Sequence, residues 1–483
     1  MAKNKASSEK KTKYQYLAGN IALFSVSNFV SKILVFLLVP LYTNVLSTYE
    51  YGIADILQVT LLLLVPAITV NMGEAALRFG IERKEDRGSI FRIGMGFVFK
   101  ADVLVALCCI VGMLIFKEEI RWYLFLFVFL YIANSLFEYL VLFFQGCEMV
   151  PVVVIGSVSS TAIMILSNII FLLVVKTGLS GYIFSQIIAY GLASAIMLVL
   201  GKMGADDFGY RENKELKKEM VSYGIPMIAY STGSWVNNAS DRYIVAAICG
   251  SAANGIYGVA YKIPAILMVF QRIFAQAWQM SATKSYTDEN SNEFFASMYK
   301  VYNTFMVIGC SLLILFVKII ATFLFRKEFF EAWRFVPPLL ISVIFGALTG
   351  FLGSICLAHK DSKAMGIATG TGAVINVVLN LITVPYYGAM GAAWATAISY
   401  FVMCIMAYGF VKRHVTIGGK WLVQGISYCL LVVEAVIMIA EMRYCYLLSI
   451  LLCLLLAGLY FKDIREIVGK FIELAKKRFF VAK

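Results

Sequence analysis

Long apolar stretches alternate with short polar and basic segments along the whole chain. A helix needs about 20 apolar residues to cross ~30 Å of hydrocarbon, and stretches of this length predict fourteen membrane-spanning helices. Their predicted bounds are 17–42, 54–74, 91–116, 122–146, 152–175, 179–201, 222–245, 253–274, 298–324, 336–357, 365–385, 391–410, 421–440 and 444–461. The spans at 222–245 and 253–274 are the most polar of the set. The connecting loops are too short for a folded domain outside the membrane.

Composition excludes a soluble enzyme, a disordered chain and a nucleic-acid binder. Apolar residues make up 61% and charged residues 15% of the sequence, against about 45–50% and 25% in ordinary soluble domains. The net charge of +13 is spread over short segments between apolar stretches. The ten cysteines form no CxxC pair, and His359 and His414 are the only histidines. We therefore expect no zinc or iron-sulfur centre and no bound cofactor.

The basic residues predict the orientation of the chain in the membrane. With both termini in the cytoplasm, thirty of the 42 lysines and arginines fall in inside segments and nine in outside segments. This bias is typical of cytoplasmic loops, so we predict a multi-pass protein of the plasma (inner) membrane with cytoplasmic termini. The predicted divisions are a basic tail (1–16), an N-lobe (17–201), a cytoplasmic linker (202–221), a C-lobe (222–410), two added helices (421–461) and a second basic tail (462–483).

Two matched patterns indicate that the first twelve spans are two copies of one unit. Tyr-Gly-Ile-Ala at 51–54 resembles Tyr-Gly-Val-Ala at 257–260, an offset of 206. Asn168 precedes Gly178 and Gly181 as Asn380 precedes Gly388 and Gly391, at offsets of 212 and 210. Six spans per copy make the repeat parallel, which is typical of transporters with two halves around a central site.

Polar side chains share one helical face in the first span of each copy. In the first span, Asn28 and Lys32 are four residues apart and lie on one face. The corresponding face of the seventh span carries Ser234, Asn237, Asn238 and Asp241. Ionisable groups inside a membrane are costly and mark functional sites, so Lys32 and Lys262 are predicted to face a central cavity rather than lipid.

Oxygen-bearing side chains in spans 7, 11 and 12 predict a site for a hard cation such as sodium. The candidate ligands are the Asp241 carboxylate, the Asn376 and Asn380 amides and the Thr396 hydroxyl, because oxygen ligands suit such ions. A structural role as contacts between helices is the alternative for the asparagines. Glu138 is predicted either to couple transport to a proton or to bond a neighbouring helix. Glu434, outside both copies, is predicted to be a helix–helix contact.

Three segments resemble a known family. They are SNFVSKILVFLLVPLYTNVLSTYEYG (27–52), VNMGEAALRFG (70–80) and ASDRYIVAAICGSAANGIYGVAYKI (239–263). The chain resembles the Wzx-like polysaccharide or O-antigen flippases of the multidrug/oligosaccharidyl-lipid/polysaccharide exporter superfamily. The resemblance implies an all-α polytopic membrane protein with about 14 transmembrane helices: two six-helix lobes in a V shape, plus two C-terminal helices.

The resemblance also implies a cargo and a set of binding residues. The cargo would be a polyprenyl-pyrophosphate-linked oligosaccharide, moved from the inner to the outer leaflet for O-antigen, capsule or exopolysaccharide export. Cationic groups would replace the hydration of its pyrophosphate. The candidate headgroup-binding residues are Lys32, Lys262, Asn28, Arg78 and Lys100. Asp241, Asn376, Asn380, Thr396 and Glu138 are the candidate coupling residues, with sodium or a proton as the ion. Expected partners are membrane lipids and the polymerase and glycosyltransferases of the same pathway.

Two other functions stay open at the level of sequence. A cation-coupled drug/sodium antiporter of the same superfamily would take cationic cargo, and deep lysines disfavour it. A membrane glycosyltransferase or polysaccharide polymerase would usually carry a large outside loop with catalytic carboxylates. The longest outside loop, near Glu328 and Arg334, is small and holds no such pair.

Overall fold

The described part of the chain is built from helices. The computed structural model describes residues 36–203, 213–285, 291–359, 361–415 and 421–465. The α-helices are α1 (Val39–Val45), α2 (Thr48–Ile68), α3 (Met72–Glu82), α4 (Arg87–Ile115), α5 (Glu118–Gly146), α6 (Val150–Asn168), α7 (Gly178–Leu200), α8 (Lys214–Cys249), α9 (Ser251–Ala260), α10 (Pro264–Ser285), α11 (Ser291–Leu315), α12 (Val317–Leu324), α13 (Val336–Ala358), α14 (Ser362–Val411), α15 (Trp421–Ile439) and α16 (Cys445–Leu459). A π-helical turn (Ile169–Val174) extends α6, and 3₁₀ turns at Lys84–Asp86 and Lys327–Phe335 precede α4 and α13.

The protein is an all-α polytopic membrane protein, as predicted. Within the described ranges, nine helices are long and apolar enough to cross a membrane, and the bent pair α9–α10 makes a tenth. The predicted span 222–245 lies inside α8, which is not among the nine because its polar face lowers its mean hydropathy. The last predicted span corresponds to the shorter apolar helix α16. The first span lies outside the described residues except for its end.

The chain divides into two compact units, an N-terminal unit up to Trp235 and a C-terminal unit from Val236. The division falls inside α8. In the N-terminal unit, α3, α4 and α5 enclose a core of large apolar side chains that includes Phe91, Phe143 and Phe144. Other apolar residues of the same helices are exposed, among them Leu114, as expected of faces in contact with lipid.

The second span begins earlier and ends earlier than predicted. The Ser47 hydroxyl accepts a hydrogen bond from the Glu50 N–H at 3.2 Å, and the Glu50 carboxylate accepts one from the Ser47 N–H at 2.9 Å. This capping box starts α2 at Thr48 rather than residue 54. The helix then stops at Ile68 and resumes as α3 at Met72, so the span is broken.

Contacts between loops agree with the predicted alternation of spans within each unit. In the N-terminal unit, Arg83 pairs with Glu219 at 2.6 Å, and both lie in predicted inside segments. Glu50, in a predicted outside loop, accepts a hydrogen bond from the N–H of Leu179, the first residue of a span predicted to begin on the outside. In the C-terminal unit, Lys318 pairs with Glu441, and both are predicted outside.

Helix α14 is two antiparallel spans joined at a glycine. A straight helix of 50 residues would be about 75 Å long. Instead, Asp361 just before it and His414 just after it are 3.1 Å apart. The backbone turns back at Gly388, whose φ of 57° and ψ of −144° are non-helical and suit only glycine. Predicted spans 11 and 12 are therefore the two arms of this hairpin.

The internal repeat is confirmed at two matched positions. Gly178 and Gly388 both adopt φ of 57°. Asn168 and Asn380 each donate their side-chain N–H to the carbonyl four residues earlier, at 2.7 and 2.8 Å. The same amide contact and the same positive glycine φ thus recur at the spacing found in the sequence.

Glu434 joins three helices, which confirms its predicted role as a helix–helix contact. Its carboxyl group is fully buried. It accepts hydrogen bonds from the Ser311 hydroxyl on α11 at 2.7 Å and from the Ser449 hydroxyl on α16 at 2.6 Å. Such bonds hold helices together where no water is present.

Candidate cation site and headgroup residues

A buried carboxylate in α8 is surrounded by hydroxyl groups of the C-terminal unit. Asp241 is 1% exposed. Its Oδ2 atom accepts hydrogen bonds from the Tyr257 and Tyr261 hydroxyls, both at 2.6 Å, and from the Thr396 hydroxyl at 3.3 Å. Its Oδ1 atom accepts one from the Arg242 backbone N–H at 2.9 Å. These bonds fix the carboxylate in the bundle interior.

The hairpin of α14 brings the two asparagines to this carboxylate. Asn380 lies eight residues before Gly388 and Thr396 eight residues after it, so both lie at the same depth on facing arms. The Asn376 Nδ2 atom donates to the Thr396 hydroxyl at 3.3 Å. The Asn380 Nδ2 atom donates to the Asn376 Oδ1 atom at 3.1 Å. All four predicted cation ligands thus form one connected cluster.

The donor set of this cluster fits a hard monovalent cation. All four side chains are buried and offer oxygen atoms. The Asn380 Oδ1 atom is buried and accepts no hydrogen bond within the described part of the chain. A buried oxygen atom that accepts no hydrogen bond lowers the stability of the fold, and a bound cation would compensate for this cost. Because one carboxylate stands among three neutral oxygen groups, the charge matches sodium better than a divalent ion.

Sequence reasoning missed the two tyrosines at this site. Tyr257 is in α9 and Tyr261 follows it by four residues, so both reach Asp241 from the same helical face. The Arg242 guanidinium lies over the Tyr261 ring, 4.4 Å from its centroid. The Tyr-Gly motif of the repeat pointed to residue 257, and the i, i+4 spacing was the available signal for Tyr261.

Lys262 lies at the break of a bent span. Residues 261–263 separate α9 from α10, whose axes differ by 49°. The side chain of Lys262 is half-buried, and its backbone N–H bonds the Val259 carbonyl at 3.0 Å. Pro264 begins α10, and proline cannot continue the hydrogen-bond ladder of α9. Irregular backbone at membrane depth is tolerated where it is covered by protein or lines a water-filled cavity.

The other predicted headgroup residues fall elsewhere. Arg78, on α3, is exposed, pairs with Glu82 at 3.1 Å and lies over the Tyr223 ring. Lys100, on α4, lines a groove of about 450 Å³ with Arg92 and Lys217. Asn28 and Lys32 lie outside the described residues, so the binding role of the whole set stays a prediction.

Glu138 belongs to the N-terminal unit, whereas the Asp241 cluster belongs to the C-terminal unit. It lines a cavity of about 290 Å³ whose polar walls come from α2, α3, α5, α7 and α8. The predicted coupling residues are therefore divided between the two units.

Broken and bent spans, a parallel repeat and a buried carboxylate among oxygen groups define an all-helical, multi-pass membrane protein of two units. Comparison with known families is more specific. The chain belongs to the polysaccharide biosynthesis protein family, whose pattern matches residues 17–279.

Two relatives show the range of this similarity. The probable low-salt glycan biosynthesis flippase Agl15 of Haloferax volcanii is 25% identical over 220 residues, which cover 44% of this chain and 45% of that protein. The capsular polysaccharide biosynthesis protein CapF of Staphylococcus aureus is 26% identical over 207 residues, covering 42% and 52%. The matched region therefore spans about half the length of these relatives.

Two solved structures share the fold. The lipid II flippase MurJ, in an inward closed conformation, superposes with a TM-score of 0.66 at 17% identity, covering 92% of this chain and 99% of that one. An inward-facing multidrug resistance MATE family transporter of the MOP superfamily also gives a TM-score of 0.66, at 13% identity, covering 79% and 94%. At these identities the likeness establishes the fold alone.

Proposed function

We propose that this protein is a flippase that moves a polyprenyl-pyrophosphate-linked oligosaccharide from the inner to the outer leaflet of the plasma membrane. The observation that carries the proposal is membership of the polysaccharide biosynthesis protein family over residues 17–279. The flippase and capsule-related names of two relatives support it. In this proposal the protein is a transporter, with cytoplasmic termini and with the polymerase and glycosyltransferases of one export pathway as partners.

The headgroup presents an electrostatic problem that basic residues solve. A pyrophosphate cannot enter ~30 Å of hydrocarbon without replacement of its hydration. Lys32, Lys262 and Asn28 would meet it inside the bundle, and Arg78 and Lys100 would attract it at the entrance. Lysine supplies a compact point charge rather than a bidentate fork, which suits a headgroup that must be released again. The prenyl tail would stay in lipid.

The Asp241 cluster would couple the cycle to an ion gradient. Sodium bound by Asp241, Asn376, Asn380 and Thr396 would neutralise the buried carboxylate and occupy the Asn380 Oδ1 atom, which accepts no hydrogen bond within the described ranges. A ligand shifts a conformational equilibrium only by its differential affinity for the two states. In this proposal, sodium therefore favours one state of an alternating-access cycle, and its dissociation allows the return.

Reconstituted vesicles test the proposal. Purified protein is inserted into liposomes with a fluorescent polyprenyl-pyrophosphate oligosaccharide, and outer-leaflet label is quenched by a membrane-impermeant reductant. We expect the protein to make inner-leaflet label accessible. Lys262→Ala should slow this roughly tenfold, the equivalent of one charged hydrogen bond of ~1.5 kcal/mol.

The matched control is Lys412→Ala, which removes an exposed lysine from the end of α14 and should leave the rate unchanged. A second assay in the same vesicles measures uptake of a lipophilic cation driven by a sodium gradient. Cation transport with no movement of the labelled lipid would contradict the flippase proposal and favour the drug/sodium antiporter.

A further inference from the structure

The N-terminal unit contains a polar cavity that the Asp241 site does not explain. Its volume is about 290 Å³, enough for several water molecules. It lies where α2 stops and α3 begins, and helices α4, α5, α7 and α8 complete its walls. Its polar lining includes Asn71, Glu74, Asn134, Glu138, Tyr190 and Ser231.

Two carboxyl groups face this cavity from different helices. Glu74 lies in the first turn of α3, and Glu138 lies eight residues before the end of α5, about 12 Å inside it. Neither carboxyl makes a hydrogen bond or an ion pair with any residue that the structure describes. Of the basic residues nearest in sequence, Arg78 is paired with Glu82 and Lys100 lines the separate groove.

A buried amide beside Glu138 also faces the cavity without a partner. Asn134 is one helical turn before Glu138, and only 8% of its surface is exposed. It makes no hydrogen bond within the described part of the chain, and it lines the cavity. Neighbouring polar groups are satisfied, because Ser135 donates to Asp102 at 2.8 Å and Asn71 donates to Ser231 at 3.2 Å. Asn134 is therefore available to a ligand.

A cation or a proton in the cavity would stabilise this arrangement. Glu74 is partly buried and Glu138 is exposed, so the main cost of ionising both carboxyls is their mutual repulsion. A proton or a small metal ion held between them would relieve that repulsion. Oxygen atoms of the carboxylates and of the Asn134 amide are the ligands that alkali cations and hydronium accept. The other titratable groups that line the cavity in the described part of the chain are the phenols of Tyr139 and Tyr190. Asp102 lies behind the wall, where it accepts a hydrogen bond from the lining residue Ser135.

We propose that Glu74, Glu138 and Asn134 form a second small-cation site, separate from the Asp241 cluster, which takes a proton or a sodium ion. The broken span positions this site, because α3 starts again at Met72 and brings Glu74 to the cavity. The proposal does not depend on the cargo, since its test measures cation binding rather than lipid movement.

A carbodiimide that reacts with protonated carboxyls in apolar surroundings tests the site on the full-length protein in detergent. Labelling at Glu138 is quantified by mass spectrometry across a pH series, in sodium chloride and in choline chloride of equal ionic strength. If the ion is sodium, we expect sodium but not choline to suppress labelling. If it is a proton, labelling should fall about tenfold per pH unit above the apparent pKa of the pair, equally in both salts. Glu148, an exposed carboxyl that pairs with Lys84, is the internal control for reagent access.

Three variants separate this site from the other one. If the ion is sodium, Glu74→Gln should abolish the suppression of Glu138 labelling by sodium; if it is a proton, Glu74→Gln should shift the pH at which labelling falls, because the carboxyl pair is broken. Asp241→Asn should leave the response unchanged, and so should Glu82→Gln, which removes an exposed carboxylate from the same helix as Glu74. Labelling of wild-type Glu138 that sodium does not suppress, and that falls over the same pH range as labelling of the exposed control Glu148, would overturn the proposal. A sodium effect or a pH range of labelling that is unchanged in Glu74→Gln would overturn the pairing.

Discussion

Asp241→Asn is the most informative single change at the proposed sodium site. It preserves the shape of the side chain and removes the negative charge from the four proposed ligands. A unit charge about 4 Å from a cation, at an effective dielectric constant of ~20, contributes about 4 kcal/mol. The variant should therefore bind sodium roughly a thousandfold more weakly. Asn380→Ala removes one neutral oxygen ligand and should weaken sodium binding about tenfold.

The fold should survive Asp241→Asn, because the asparagine Oδ1 atom can still accept from the Tyr257 and Tyr261 hydroxyls. The assay is thermal unfolding of the purified protein in detergent, in sodium chloride and in choline chloride. Sodium at 100 times its Kd for this site should stabilise the protein by about 2.7 kcal/mol. In the Glu74→Gln background, which disables the second proposed cation site, this sodium-specific gain should vanish when Asp241→Asn is added.

The matched control is Asp463→Asn, which removes another buried carboxylate, one paired with Lys300 at 2.8 Å. It should keep the sodium-specific gain. Equal stabilisation of the wild type by sodium and choline would refute the reasoning. The reasoning would also be refuted if the Asp241→Asn protein bound sodium as tightly as the wild type.

Three further changes test the fold by thermal unfolding in detergent. Gly388→Ala should destabilise by about 1–3 kcal/mol because its φ of 57° strains any side chain, whereas Gly409→Ala, in open helical space, should not destabilise. Glu434→Ala should destabilise by about 1–3 kcal/mol because two buried serine hydroxyls lose their acceptor. The hydrogen bond from His414 holds the pKa of Asp361 below its ordinary value. This carboxylate therefore stabilises the fold above pH ~4, and the stabilisation is lost as pH falls through the lowered pKa. Asp361→Asn should remove this loss of thermal stability at acid pH.

The membrane architecture could be predicted from sequence because the solvent imposes it. Every span beyond the first that the apolar pattern predicts coincides with a described helix, with one arm of a helix or with a pair of consecutive helices. The repeat was also visible, since Gly178 and Gly388 occupy a backbone conformation that only glycine adopts easily. Such positions can be recognised in the sequence because the backbone conformation favours glycine there.

Breaks within spans were less accessible to sequence reasoning. The interruption between α2 and α3 places Val70 and Asn71 at φ of 57° and 50°. A β-branched residue rarely takes that conformation, so nothing in the apolar pattern indicates it. Only packing in the N-terminal unit holds the backbone there. The cavity that contains Glu74 and Glu138 depends on this break, and it too was invisible in the sequence.

The sequence by itself determined the spans and predicted their alternation and the candidate ligand set of Asp241, Asn376, Asn380 and Thr396, because hydropathy and residue chemistry are local properties. Only the tertiary structure decided that Tyr257 and Tyr261 bond Asp241, and that Glu138 and Glu74 line one cavity of the N-terminal unit. Contacts between helices far apart in the chain depend on how their faces are rotated against one another. In a bundle where nearly every face is apolar, the hydrophobic pattern leaves that rotation undetermined, and close packing with satisfied polar groups selects it.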